Sequence, residues 1–295
     1  MTLPNFIGIG APKAGTTWLA RCLGEHPDVF MAAMKETEFW KLADAEARLE
    51  EYAAHFHGAN GARAVGEYSV RYLSFPGVPE RIKRVLPKVN LIVSLRNPLD
   101  QVYSNYWHLQ RQNFNLPDPS KAPRSIEEAV REHREFLLAP ARYASHLSRW
   151  QAQFAREQLL VILYDDIQRR PAEVLRRAFA FLKVDPDFQP PSLTEKGSAV
   201  RQGTSPRSEA AARWHGAIYG GLVQRVYAPM KRMFGVRNAA RIKETLRVRT
   251  MMERLFMRKG YPPMGADTRA LLAREFAPEV EELARLTGLN FDSWK

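Results

Sequence analysis

The stretch NFIGIGAPKAGTTWLA, residues 5–20, decides the fold. The apolar run Phe6–Ile9 reads as a buried strand. Thr17–Gly24 reads as a helix, with Thr16 as its cap and Pro27 beyond its end. Between them lies a glycine-bearing turn. A strand, such a turn and a helix start aim backbone N–H groups and the positive end of a helix dipole at one point, which suits a phosphate. The turn departs from the Walker A pattern, which needs Gly-Lys-Ser/Thr in sequence. Here the order is Pro12-Lys13-Ala14-Gly15-Thr16-Thr17. Loop shape alone leaves open both an anion-binding loop and a plain strand-to-helix connection.

Working outward, NLIVSL (Asn90–Leu95) and LLVILY (Leu159–Tyr164) read as two further buried strands, with Val29–Ala32 and Ala64–Tyr68 as weaker ones. Helical patterns cover Pro79–Leu86, Ile126–Leu137, Tyr143–Arg156, Ala172–Leu182 and about Asp267–Thr287. Another starts at Pro98, with Asn97 as its cap and Asp100 in its first turn. Strand and helix alternate. The expected class is therefore α/β: a P-loop-like central parallel sheet flanked by helices on both faces, with extra C-terminal helices. One domain is expected over 1–295, with 209–258 a basic helical segment inside it. Residues 113–125 and 186–208 read as long loops.

The chain has 295 residues, 45% hydrophobic and 26% charged, which is ordinary for a globular protein and argues against wholesale disorder. Cys22 is the one cysteine, so no intrachain disulfide forms and a Cys-rich metal site is excluded. The start MTLPNFIGIG lacks a basic leader, and no stretch approaches the roughly 18 apolar residues of a membrane span. A soluble, cytoplasmic protein is the expectation. The net charge of +12 favours anionic partners: phosphate cofactors, acidic glycans, nucleic acid or a membrane surface. Many of the positive residues fall in 201–258, from Arg201 and Arg207 through Lys231, Arg232 and Lys243 to Arg258.

Two more stretches carry chemistry. In LIVSLRNPLDQVYSNYWH, residues 91–108, Arg96 leaves a strand end, where ligands of parallel sheets bind. Ser104 follows two helical turns on. Read alone, the stretch favours the plainer role: Arg96 caps a neighbouring helix end and Ser104 packs quietly. In MKETEFWKLAD, residues 34–44, Glu36 and Glu38 precede Phe39-Trp40. A loop carboxylate beside a basic pocket can serve as general base; on its own, a solvated charge cluster is the commoner case.

Together, PKAGTTWL, KETEFW and LRNPLDQVYSNYWH resemble, in this order, the sulfotransferase superfamily that uses 3′-phosphoadenosine 5′-phosphosulfate (PAPS). GEYSVRYL (66–73), the segment 142–184 and the tail 261–294 are similar to its heparan sulfate sulfotransferase-like branch and to bacterial relatives. The resemblance implies PAPS as donor, 3′-phosphoadenosine 5′-phosphate (PAP) as product and no metal. Lys13 would reach the oxygen bridging phosphate and sulfate. Ala14, Gly15, Thr16, Thr17 and Trp18 would surround the 5′-phosphate, and Arg96 and Ser104 would hold the 3′-phosphate. Glu36 would take the acceptor's proton; a glutamate is a weak base at neutral pH, so positioning must supply much of its effect. Lys196, Gly197, Arg201 and Arg207 would close over the 3′-phosphate end. The acceptor is expected to carry a hydroxyl, less readily an amine, as a glycan, lipid or natural product.

The chain also departs from that branch. Where heparan-type enzymes carry a lysine after the glutamate of the GEYS segment, this chain has Tyr68, which weakens a heparan-like acceptor. Glu67 would line the cleft or pair with an arginine. His26 and His108 do not stand where the small-molecule branch places its histidine base. Tyr164-Asp165-Asp166, His146 and Trp150 read as structural. A P-loop kinase is the competing enzyme, disfavoured by the missing Gly-Lys-Ser/Thr and by the lack of an obvious strand-end Asp for Mg²⁺. A nucleic-acid-binding protein is the competing non-enzyme. It is disfavoured because 201–258 interleaves few aromatics with its charges, so no specific nucleic acid is expected. That basic segment would suit an acidic acceptor or an anionic membrane.

Overall fold

The computed structural model describes residues 1–112, 114, 116, 121–194, 204–206 and 257–294. In chain order these form β1 (Phe6–Gly10), α1 (Thr16–Gly24), β2 (Val29–Met31), α2 (Leu49–Ala53), β3 (Ala64–Tyr68), α3 (Val78–Val85), β4 (Asn90–Leu95) and α4 (Pro98–Gln110). Then come α5 (Ile126–Glu132), α6 (Arg134–Leu138), α7 (Tyr143–Gln151), β5 (Leu159–Leu163), α8 (Tyr164–Arg169), α9 (Pro171–Phe181) and α10 (Pro191–Thr194). Last are β6 (Thr204–Pro206), β7 (Met257–Lys259) and α11 (Ala266–Thr287). The chain falls into two compact units. The first comprises Met1–Tyr103, His133–Arg201 and Ala266–Lys295; the second comprises Ser104–Glu132 and Gln202–Gly265.

The first unit is built on a five-stranded parallel sheet in the order β2-β3-β1-β4-β5. The two weaker strand readings, at Val29 and Ala64, are real and form one edge. Successive strand residues point to opposite faces, and here both sets are buried. Phe6, Tyr68, Ile92 and Ile162 join Leu19, Cys22 and Leu23 of α1 and Val174, Leu175, Ala178 and Phe179 of α9 in one cluster. Ile7, Ile9, Leu91, Val93 and Leu95 are also fully buried. Helices flank the sheet, as the alternation of patterns implied.

Local chemistry moved several boundaries. Thr16 is inside α1, and the cap is Gly15, at φ 82°, a left-handed conformation that favours glycine. Asn97 caps α4 as expected: its Oδ1 accepts the Leu99 N–H at 3.0 Å. The expected helix 126–137 breaks at His133, whose ψ of 35° is not helical, into α5 and α6. Tyr164 opens α8 rather than closing β5, which puts Asp165 and Asp166 in that helix's first turn. There Asp165 accepts the Trp294 indole N–H at 2.8 Å, and Asp166 pairs with Arg170 at 2.7 Å. His146 and Trp150 are core, with the Trp150 indole donating to the Leu73 carbonyl at 3.2 Å. Cys22 is buried in α1.

In the second unit, β6 and β7 pair antiparallel. Ser104 Oγ lies 3.3 Å from Tyr261 OH, and the Trp107 and Tyr261 rings stack at 6.0 Å. The basic segment 209–258 lies outside the described residues, apart from the short strand at its end. Among the described residues, no helix is long and apolar enough to cross a membrane.

Gly8 tests how closely β1 and β3 approach. A Cβ there would lie 2.2 Å from a ring carbon of Tyr68, well inside contact distance. Gly8→Ala is expected to destabilise the protein by roughly 1–3 kcal/mol through overpacking, read as a lowered denaturation midpoint; an unchanged midpoint would contradict this packing.

Candidate functional site

The loop between β1 and α1 lies at the carboxyl end of the sheet, the edge where parallel sheets bind ligands. Lys13 has φ 67° and Gly15 has φ 82°, so the turn reverses direction twice before α1 begins. A Cβ on Gly15 would meet Ile167 Cδ1 at 3.0 Å, which closes the position to larger residues. Among the described residues no side chain caps α1, which leaves its first-turn amides to a ligand. Thr17 is exposed beside them, Thr16 and Ala14 are buried, and Trp18 packs into the core cluster near the sheet.

The loop is held from β4 and α4. Ala11 N–H donates to the Ser94 carbonyl at 2.7 Å. Fully buried Gln101 donates from Nε2 to the Pro12 carbonyl at 3.3 Å. Arg96, leaving β4, donates from Nη1 to the Lys13 carbonyl at 3.3 Å, and its guanidinium lies 4.8 Å above the Tyr164 ring. Its Nε is buried with no hydrogen-bond partner among the described residues. A guanidinium braced by an aromatic ring, with an unspent N–H, suits an oxyanion.

The Glu36 turn enters the same edge from β2. Its amide donates to the Tyr68 carbonyl at 2.9 Å, at the end of β3 and next to β1. Glu36 has φ 66°, and its carboxylate is 2.6 Å from Lys35 Nζ. Glu38, at φ 55°, pairs with Lys41 of its own turn and lies 3.8 Å from Arg71, which follows β3.

Thus the structure brings Lys13, Ala14, Gly15, Thr16, Thr17, Arg96 and Glu36 to one edge of the first unit's sheet. Ser104 belongs to the second unit, and Lys196, Gly197, Arg201 and Arg207 lie outside the described residues. Beside Ser104 the structure puts Gly260-Tyr261, a neighbour the sequence reading missed. The signal was there: RKGYPP (258–263) is basic and glycine-bearing, and Gly260 takes φ 83°. Gln101 and Tyr164 were missed as supports of the loop, since no local pattern marks such a contact.

Two sequence readings resolve. Glu67 neither lines an open cleft nor pairs with arginine: it is wholly buried and bonded to hydroxyls. Burial pushes its carboxyl above the ordinary value, against the pull of those hydroxyls. His26 is structural, with Nδ1 accepting the Asp28 amide at 3.0 Å and Nε2 lying 3.1 Å from the Asp185 carbonyl.

Fold and loop together define an α/β protein with a five-stranded parallel sheet and a left-handed turn between its first strand and first helix. A sulfotransferase domain model matches residues 3–197, about two thirds of the chain, and the chain belongs to that family of enzymes. It is 27% identical over 197 residues to the human bifunctional heparan sulfate N-deacetylase/N-sulfotransferase 2, covering 62% of this chain and 22% of that one. Against the human N-deacetylase/N-sulfotransferase 3 it is 30% identical over 200 residues, covering 63% and 23%. The chain therefore spans about a fifth of the length of these relatives. A crystal structure of a sulfotransferase from Alicyclobacillus acidocaldarius superposes with a TM-score of 0.66 at 27% identity, covering 100% of this chain and 99% of that one. A P-loop kinase is not favoured by these likenesses.

Gln101 holds the loop by a single side-chain bond, and its own Oε1 has no partner among the described residues. Gln101→Leu is expected to shift global stability by no more than about 1 kcal/mol, because the lost bond is offset by the lost orphan. Amides of residues 11–16 should nevertheless exchange hydrogen several-fold faster; unchanged exchange would show that Gln101 does not hold the loop.

Proposed function

We propose that the chain moves a sulfuryl group from PAPS to an acceptor hydroxyl by in-line transfer, releasing PAP. The observation that carries this reading is the bond from Arg96 to the Lys13 carbonyl. It sets beside each other, at one sheet edge, two elements 83 positions apart in sequence that this reading takes as anion-binding. An adenosine bearing phosphates at both its 5′ and 3′ ends needs two such elements. Arg96 is the residue proposed for the 3′-phosphate, with its Nε, which has no partner among the described residues, as a spare donor.

In the reaction the bond from sulfur to the phosphate oxygen breaks while the acceptor oxygen bonds to sulfur. Charge grows on the departing phosphate. The Lys13 ammonium and the first amides of α1, at Thr16 and Thr17, stabilise that charge through preorganised electrostatics. Glu36 receives the acceptor proton. Lys35, 2.6 Å from it, fixes the direction of its carboxylate.

An amine acceptor is the second reading, favoured by one observation: the matched relatives are named N-sulfotransferases. The departure at Tyr68 argues against a simple transfer of their acceptor. Tyr68 is buried, with its hydroxyl 3.3 Å from the Gly10 carbonyl, and offers no cation to an acidic glycan.

Radiolabelled PAPS, offered with N-desulfated heparin, N-acetylheparosan and a simple phenol, separates amine from hydroxyl acceptors. Label is expected on a hydroxyl-bearing molecule. Label confined to the free-amine glycan would establish the second reading, and label on none of them or on host extract would contradict the proposal. Lys13→Ala is expected to lower turnover by about 10²–10³-fold. Glu36→Gln is expected to keep PAP affinity and lose turnover; retained turnover would end its part as base.

A further inference from the structure

Glu67, at the penultimate position of β3, has no part in the chemistry above, yet a wholly buried carboxylate beside the Glu36 turn needs a reason. Its Oε2 accepts hydrogen bonds from Ser69 Oγ at 2.7 Å and Thr37 Oγ1 at 3.0 Å, and its Oε1 accepts one from Tyr52 OH at 3.1 Å. Each hydroxyl has one proton to give. With theirs spent on Glu67, Ser69 and Thr37 turn lone pairs toward the turn backbone. Ser69 Oγ accepts the Glu38 amide at 3.3 Å, and Thr37 Oγ1 accepts the Phe39 amide at 3.4 Å. Tyr72 OH lies 3.0 Å from Thr37 Oγ1 and becomes the donor of that pair, while its oxygen accepts the Trp40 amide at 3.2 Å.

Three successive amides therefore end on hydroxyls whose direction one carboxylate sets. They hold a turn in which Glu36 and Glu38, either side of Thr37, both sit at positive φ, 66° and 55°. Such conformations persist only where surroundings impose them. The Glu36 amide itself is fixed on the Tyr68 carbonyl, one residue beyond Glu67.

We propose that Glu67 is a positioning residue: by orienting the hydroxyls of Thr37, Ser69 and Tyr72 it locks the Glu36–Trp40 turn and so aims the Glu36 carboxylate at the acceptor. This rests on the reading of Glu36 as general base. Thr37 is the link, because it belongs to the turn and touches the buried carboxylate directly.

The test uses Glu67→Gln, whose amide nitrogen cannot accept a hydroxyl proton. Thr37→Val cuts the same link while leaving Glu67 in place, and Thr37→Ser serves as its rescue. Hydrogen exchange of residues 36–40 is expected to speed up in Glu67→Gln and Thr37→Val and to recover in Thr37→Ser. Residues 11–16 should be unaffected, and calorimetric PAP affinity unchanged. On whichever acceptor takes label above, kcat should fall about 10–100-fold with KM for PAPS unmoved, as expected for a misaimed base. Adding Glu67→Gln to Glu36→Gln should cost nothing more.

Wild-type exchange and kcat in Thr37→Val and in folded Glu67→Gln would overturn the proposal, as would a full further loss in the double variant. If Glu67→Gln does not fold, the Thr37 pair decides. Full turnover in Glu36→Gln alone would instead remove the base reading, a distinct outcome.

Discussion

The hydrogen bond from the Arg96 guanidinium to the Lys13 carbonyl is the constraint on which the site depends. It joins the end of β4 to the turn after β1, two adjacent strands of a parallel sheet. A parallel sheet delivers every strand's carboxyl end to one edge, so residues far apart in sequence meet there without special design. What must be built is the direction of each group. Arg96 is directed by the Tyr164 ring beneath it, and Lys13 by the left-handed turn that Gly15 completes, with the buried Gln101 holding the neighbouring Pro12 carbonyl.

Glu36 is organised differently. Its amide is held on the last residue of β3, but its side chain stands in a short turn with two residues at positive φ. Hydroxyls take the place of rigid secondary structure. Ser69, Tyr72 and Thr37 hold successive amides; the Ser69 and Thr37 protons converge with that of Tyr52 on the one carboxylate, Glu67, and Tyr72 is tied to it through Thr37. Burial opposes charge on that carboxylate, and three converging hydroxyl donors favour it. The proposed site thus has a cationic, helix-dipole half and a carboxylate half, each supported by groups to which the proposed chemistry gives no direct part.

Much of this was legible in the sequence, for physical reasons. The runs Phe6–Ile9, Asn90–Leu95 and Leu159–Tyr164 are almost wholly apolar, because β1 and β4 are buried on both faces and β5 is at least half-buried, and that pattern is hard to mistake. Asn97-Pro98 announced α4 because the cap uses a local bond. Lys13, Glu36 and Arg96 were found because their neighbours carry the resemblance to a family, not because their chemistry was visible alone. The cap at Gly15 was misread because Thr16 is the better capping residue by type; the left-handed turn decided otherwise. Glu67's partners were hidden because Thr37, Tyr52 and Ser69 come from separate elements. Tyr261 was hidden because it meets Ser104 across 157 positions of sequence.

The most direct measurement is a pair of calorimetric titrations, with PAP and with adenosine 5′-phosphosulfate, which lacks the 3′-phosphate, on the native protein and on Arg96→Ala and Lys13→Ala. If the two cationic elements grip opposite ends of one nucleotide, Arg96→Ala weakens PAP by about 10–100-fold and leaves adenosine 5′-phosphosulfate nearly untouched, while Lys13→Ala weakens both. Equal losses for both ligands in Arg96→Ala, or none for either, would contradict that arrangement.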